Sequence, residues 1–199
     1  MKKERIGIFG GTFNPPHIGH IGAAKAFVAE AELDKLIIMP SYIPPHKVYN
    51  SSVTCEERLD MCHIAFSDIE KATVSDLEIS RGGTSYTYLT LQELSKENSE
   101  LYFLCGTDMI LSLDTWKNPD IIFSLAKICY IRRESNKDIT NQIAEKCKFY
   151  SEKYNADIIS IDAQVIDISS SEIRDGSCDL SRYLTRGVLD YIVEKGIYK

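Results

Sequence analysis

A doubly wound α/β domain, with a mostly parallel sheet and helices on both faces, is predicted by three features of this sequence. Short apolar runs of strand length recur along the 199 residues, helix-period segments lie between them, and a glycine pair closes the first run. Strands alternating with helices imply βαβ units with right-handed crossovers, hence a parallel sheet covered on both sides. In such sheets ligands bind beyond the carboxyl ends of the strands, so the loops that follow strands hold the candidate site residues.

The first run is "RIGIF" (5–9), closed by Gly10 and Gly11, where the chain turns tightly and can approach a ligand without a Cβ in the way. Pro15 and Pro16 hold the residues before them extended, so a helix starts no earlier than about Pro16 or His17. Its apolar stripe is Ile18, Ile21, Ala24, Phe27, Val28 and Ala31. The second strand is "KLIIM" (35–39), and Thr54 with Glu57 forms a capping box that opens a helix over 55–67. Strands are further expected at 72–79, 101–105, 127–131 and 157–161. Asn118 followed by Pro119 reads as a cap with proline at the first helical position. Residues 139–199 complete the same unit, so 1–199 is read as a single domain of the Rossmann-like type.

Composition excludes several classes. A hydrophobic content of 44% with 26% charged residues suits a packed domain rather than a disordered chain. A net charge of -6 argues against a broad nucleic-acid footprint, which needs a basic excess. The six cysteines, Cys55, Cys62, Cys105, Cys129, Cys147 and Cys178, form no CxxC pair and read as reduced core thiols. The amino-terminal apolar stretch is too short for a signal peptide and no run approaches a membrane span, which gives a cytoplasmic expectation.

The stretch "GIFGGTFNPPHIGH" raises the chemical question. His17 and His20, three residues apart at the first turn of a helix, point to one side, about 60° apart in azimuth. A helix start offers unpaired N–H groups and positive dipole, the ingredients of a phosphate site. Neither the GxGxxG nor the GxxxxGK[ST] spacing is present, which removes the main support for a dehydrogenase or a P-loop enzyme. Two other readings stay open: a glycine-rich turn with surface histidines, and a metal pair completed by His46 or His63.

"GGTFNPPHIGH" resembles the GTFDPxHxGH-type signature of the nucleotidyltransferase superfamily. "PSYIPPHK" (40–47), "RGGTSYTYLTL" (81–91), "GTDMILSLDTWKNPDII" (106–122) and "ISSSEIR" (168–174) narrow the resemblance to the bacterial nicotinate mononucleotide adenylyltransferases. Asn14 stands where many relatives have aspartate, Ser171 where threonine is frequent, and "YLTRGVLDYI" lacks a proline often found before its valine.

The resemblance implies transfer of the adenylyl group of ATP to nicotinate mononucleotide, with Mg²⁺ carried by ATP and no metal held by the protein. Its partners are those two nucleotides, with no nucleic-acid polymer and no membrane; homo-oligomerisation is left open. A related adenylyltransferase with another phosphate acceptor, such as pantetheine phosphate, and a non-catalytic nucleotide sensor are the rival readings.

Ser169 with Glu172 is a second capping box, and Arg174 lies one turn inside its helix. That pattern alone describes a well-capped helix; beside the opening motif it also reads as a polyphosphate grip. The resemblance makes His17, His20 and Arg174 catalytic and adds Gly10, Gly11, Thr12, Phe13, Gly106, Asp108, Ile168, Ser169 and Ser170 on the ATP side. On the mononucleotide side it implies Asn14, His46, Lys47, Thr84, Ser85, Tyr86, Thr87, Trp116 and Lys117. Trp116, the single tryptophan, reads either as a plug between helix and sheet or, by the resemblance, as a stacking surface for the pyridine. Thr84 and Ser85 are possible caps ahead of a helix whose start would favour an anionic carboxylate.

Overall fold

The structure, a computed structural model, describes residues 2–45, 53–131, 137–163, 166, 168–176 and 179–198. The expected His46 and Lys47 lie outside the described residues, as does Cys178.

The first half alternates β1 (Glu4–Gly11), α1 (Ile18–Glu30), β2 (Lys35–Pro40), α2 (Cys55–Phe66) and β3 (Ala72–Val74), followed by the helices α3 (Leu77–Arg81) and α4 (Thr87–Leu94). The second half runs β4 (Ser99–Cys105), α5 (Thr107–Ser112), a 3₁₀ turn at Leu113–Thr115, α6 (Pro119–Leu125), β5 (Ala126–Ile131), α7 (Lys137–Tyr154) and β6 (Ile158–Ile161). The short helices α8 (Ser170–Arg174) and α9 (Leu180–Tyr183) and the longer α10 (Arg186–Lys195) complete the chain.

The strands form one sheet in the order β3-β2-β1-β4-β5-β6, with every neighbouring pair parallel. The order reverses between β1 and β4, which pair from Glu4↔Ser99 to Phe9↔Leu104. That seam is the topological switch point, and the glycine pair at its upper end stands where such sheets bind ligands.

Each face of the sheet has its own apolar core. Phe27, Leu36, Ile38, Met61, Phe66, Leu104 and Val188 pack on one side, and Ile8, Met39, Leu91, Phe103, Ile110, Ile122 and Ile128 on the other. The alternation along each strand assigns its residues to the two faces. Gly7 is required by this packing, because a Cβ there would stand 2.3 Å from Leu33 Cδ1 and 2.9 Å from Phe27 Cε1. Cys62, Cys105 and Cys129 are buried and Cys55 and Cys147 are half-buried, all as free thiols.

Two sequence expectations are corrected here. The run 72–79 is not one strand: pairing with β2 stops at Val74, and the chain turns at Ser75 and Asp76 into α3. An alternating apolar run at a sheet edge cannot be told from a strand followed by a helix by pattern alone. Asn118 is the cap residue of α6 with Pro119 at the first helical position, as expected; it adopts the left-handed conformation (φ 52°) and its side chain makes no cap hydrogen bond. Ser85 does not cap α4; the residue before that helix is Tyr86, whose side chain makes no cap hydrogen bond.

Candidate nucleotide site

The strand β1 ends in glycines for two different reasons. A Cβ on Gly11 would meet the Phe13 ring at 2.9 Å, since Phe13 adopts a left-handed φ of 48° and its buried ring folds back toward the strand end. Gly10 has no such constraint, its nearest neighbour being Phe103 at 3.8 Å. Gly106, beyond the end of β4 on the other side of the seam, has nothing within 4 Å of where a Cβ would lie, and its φ is an ordinary -81°. Gly10 and Gly106 thus flank the switch point with space that the fold leaves unfilled, which lets a ligand approach the backbone.

After a cis Asn14–Pro15 bond, α1 begins at Ile18. His17 is therefore the cap residue rather than a member of the first turn, with extended backbone (φ -138°), and His20 lies three positions inside. The His17 N–H donates to His20 Nδ1 at 3.2 Å, and the two imidazoles face each other with centroids 3.7 Å apart. His17 is buried and lies across Gly19, where a Cβ would be 3.1 Å from its ring. Because Nδ1 of His20 accepts a backbone N–H, the neutral ring carries its proton on Nε2, which makes Nε2 the donor. Phe13 meets His20 edge-on at 5.1 Å.

The second motif comes to the first across more than 150 residues of chain. Ser170 Oγ donates to the Pro15 carbonyl at 2.9 Å, and Arg174 Nη1 donates to the Asn14 carbonyl at 2.7 Å. The capping box is present as expected: Glu172 N–H donates to Ser169 Oγ at 3.2 Å, while Ser169 N–H and Oγ donate to the Glu172 carboxylate at 2.8 and 2.6 Å. These hydrogen bonds from Ser169 hold the Glu172 carboxyl below its ordinary range. α8 has only five residues, too short for a developed dipole, so it offers hydroxyls and the exposed Arg174 guanidinium rather than a helix field. Ile168 is buried beneath it.

Asn14 is buried, and its Oδ1 accepts from the Tyr198 hydroxyl, so the side chain expected to meet the mononucleotide is engaged within the protein. Thr12 contributes its carbonyl to Arg58 Nη1 at 2.7 Å. Asp108 is exposed in the first turn of α5.

On the other flank, Trp116 is half-buried and meets Phe103 edge-on at 6.2 Å. Its ring is thus one aromatic residue away from Gly10, both a plug on the core and a partly open face. Asp114 anchors the preceding turn by accepting from Lys146 at 2.9 Å and from the Tyr150 hydroxyl at 2.9 Å. Lys117 is exposed. Thr84 bridges Ile43, and Ser85 joins the same loop by accepting the Tyr42 N–H at 2.9 Å and donating its own N–H to the Ile43 carbonyl at 2.9 Å. Tyr86 and Thr87 follow at the start of α4, which packs against α6 next to Trp116.

Sequence reasoning missed Arg58, Glu78, Phe103 and Tyr198. Arg58 had a signal: it opens the stripe Arg58, Met61, Cys62, Ala65 and Phe66, all buried, on the inner face of α2. A cation in an apolar stripe must have a polar partner. Glu78 lay in the misread strand, and Tyr198 carried no local signal. Among the described residues, no three His, Cys, Asp or Glu side chains gather where they could hold a metal ion. No helix among them is long and apolar enough to cross a membrane.

Residues 8–176 match the family model described as cytidylyltransferase-like. A protein of Clostridium acetobutylicum named probable nicotinate-nucleotide adenylyltransferase is 38% identical over 177 residues, covering 87% of this chain and 86% of the relative. A protein of the same name from Clostridium kluyveri is 35% identical over 198 residues, covering 96% and 98%. Among solved structures, Plasmodium falciparum nicotinic acid mononucleotide adenylyltransferase complexed with NaAD aligns with a TM-score of 0.75 at 20% identity, covering 98% of this chain and 97% of that one. At that identity the structural likeness speaks for the fold.

Proposed function

The chain belongs to the cytidylyltransferase-like family and, within it, to the nicotinate-nucleotide adenylyltransferases; from that premise we propose that it joins ATP and nicotinate mononucleotide into nicotinate adenine dinucleotide. The observation that carries the proposal is the convergence of two distant motifs, His17 with His20 and Ser170 with Arg174, beside two glycines that open the sheet's switch point.

In the proposed reaction a phosphate oxygen of the mononucleotide attacks the α-phosphorus of ATP in line. The new O–Pα bond forms as the bond from Pα to the bridging oxygen breaks, and pyrophosphate leaves with that oxygen. Such a step needs positioning and charge neutralisation rather than a protein nucleophile. His20 offers Nε2–H to a phosphoryl oxygen, and His17 sets that ring's tautomer through its backbone N–H. Arg174 supplies a planar cation for the departing phosphates. Mg²⁺ enters with ATP as part of the substrate.

The space beside Gly10 and Gly106 suits the nucleotide backbone, and the exposed Asp108 in the first turn of α5 is assigned to the ribose hydroxyls. Trp116 suits a stacked pyridine, and the start of α4 at Tyr86 and Thr87 suits its carboxylate. His46 and Lys47 are assigned to the mononucleotide by the family pattern alone. We place the reaction in NAD biosynthesis and in the cytoplasm.

A pyrophosphate-release assay with ATP and a panel of phosphate acceptors tests the proposal. Release with nicotinate mononucleotide well above that with nicotinamide mononucleotide or phosphopantetheine is expected. Release with none of them, despite ATP binding, would favour a nucleotide sensor.

A further inference from the structure

Arg58 and Glu78 are buried charged-type side chains, among the described residues, that the proposed reaction leaves unused. Arg58 has no exposed surface and Glu78 is 7% exposed, and burying either charge is costly unless it is hydrogen-bonded. Arg58 Nη1 donates to the Thr12 carbonyl at 2.7 Å, at the end of the β1 motif. Its Nη2 donates to the Ser41 carbonyl at 2.5 Å, with longer contacts to the Tyr42 carbonyl at 3.5 Å and Cys55 Sγ at 3.2 Å.

The Ser41 carbonyl is one end of a peptide unit whose other end is the Tyr42 N–H, and that N–H donates to Ser85 Oγ at 2.9 Å. The Ser85 hydroxyl also acts on the Glu78 carboxyl, which burial raises above its ordinary range while Thr90, Ser85 and Arg81 pull it back down. Glu78 also accepts from the Thr90 hydroxyl at 2.6 Å and lies 3.9 Å from Arg81, which is itself tied to Glu93 at 3.1 Å. One amide is therefore held by the buried Arg58 at its oxygen and by the Ser85 hydroxyl, beside the buried Glu78 carboxyl, at its nitrogen. Hydrogen bonds in such a chain polarise and strengthen one another.

We propose that Arg58 and Glu78 are positioning residues that act together through the Ser41–Tyr42 peptide to set the loop on the mononucleotide side of the site. A core built for stability alone is served as well by apolar side chains, since a buried charge is weak support for a fold. Here Arg58 grips backbone just beyond the carboxyl ends of β1 and β2, and Ser85, beside Glu78, holds the next N–H of the chain that carries Ile43 to its bridge with Thr84. The inference rests on the adenylyl-transfer reading, because the loop matters for turnover only if the acceptor binds beside it.

The test is steady-state kinetics with each substrate varied, on wild type, Glu78→Gln, Arg58→Lys and the double variant, with a thermal melt of each. Glu78→Gln is expected to raise KM for nicotinate mononucleotide by about 5- to 30-fold, within the range of couplings inside one hydrogen-bond network, and to leave KM for ATP within about twofold. Arg58→Lys, which cannot reach both carbonyls, raises both KM values. The double variant falls short of the product of the two mononucleotide effects, because both act on one peptide.

If Arg58→Lys does not fold, Ser85→Ala replaces it, and Glu78→Gln is expected to be nearly silent in that background. Lowered melting temperature with unchanged KM values, or singles that multiply in the double variant, would overturn the positioning role and leave the reaction standing. A wild type that makes no dinucleotide would overturn the reaction, and this role with it.

Discussion

Gly7 and Gly106 give opposite predictions for the same substitution. In Gly7→Ala the new methyl would lie 2.3 Å from Leu33 Cδ1, 2.9 Å from Phe27 Cε1 and 3.2 Å from Leu36 Cδ1, all three side chains fully buried. Forcing a methyl into a packed core costs about 1–3 kcal/mol, and a domain of this size loses about 2–4 °C of Tm per kcal/mol, so Tm should fall by about 2–12 °C. In Gly106→Ala the methyl meets nothing within 4 Å, at backbone angles alanine adopts freely. The entropic gain of about 0.4–1 kcal/mol is offset by alanine's poorer capping, so Tm should stay within about 4 °C. If the Gly106 backbone approaches the nucleotide, the same 1–3 kcal/mol clash appears there, lowering kcat/KM for ATP by about 5- to 150-fold. Differential scanning fluorimetry and pyrophosphate release at limiting ATP read the two effects. Wild-type kcat/KM in Gly106→Ala would remove the seam from the nucleotide site, and an unchanged Tm in Gly7→Ala would refute the packing argument.

Further expectations concern the two histidines, the arginine, the pyridine and an acid-sensitive turn. His20→Ala should fold and lose about 10²- to 10³-fold in kcat, the usual loss for one preorganised donor; His17→Ala keeps the backbone N–H to His20 but removes the ring packed 3.7 Å from it and should also lower kcat severely, and near-normal kcat in both would exclude them. Arg174→Ala should impair ATP use more than mononucleotide use, with lysine restoring part of the loss, and a defect confined to the mononucleotide would contradict the assignment. The α4 start should favour nicotinate over nicotinamide mononucleotide by about 2- to 30-fold in kcat/KM, from a dipole contribution of about 0.3–2 kcal/mol, and a preference for the amide would sink the carboxylate site. Burial pulls the Asp114 carboxyl upward, but hydrogen bonds from Lys146 and Tyr150 outweigh it and leave the group below its ordinary value. Its stabilising contribution is therefore present above the unfolded-state pKa and lost as pH falls through the lower folded value. Asp114→Asn should melt below wild type at neutral pH, with the gap closing below about pH 4; a gap that stays constant to pH 2 would refute this.

The opening stretch and "ISSSEIR" were each legible alone, because caps, proline restrictions and glycine turns are set by neighbours within four residues. The sequence by itself determined the alternation of strands and helices, the start of α1 within a residue or two, and the capping box at Ser169 and Glu172. Tertiary structure alone decided what those pieces meet. Arg174 reaches the carbonyl of Asn14 across 160 positions, and Tyr198 reaches the side chain of the same residue across 184. Ser85, readable as a cap from its neighbours, serves instead a loop 43 residues earlier. A hydroxyl can satisfy a nearby or a distant N–H equally well in chemical terms, so local pattern cannot choose between them; the parallel sheet chooses, by bringing the ends of β1, β2 and β4 to one edge.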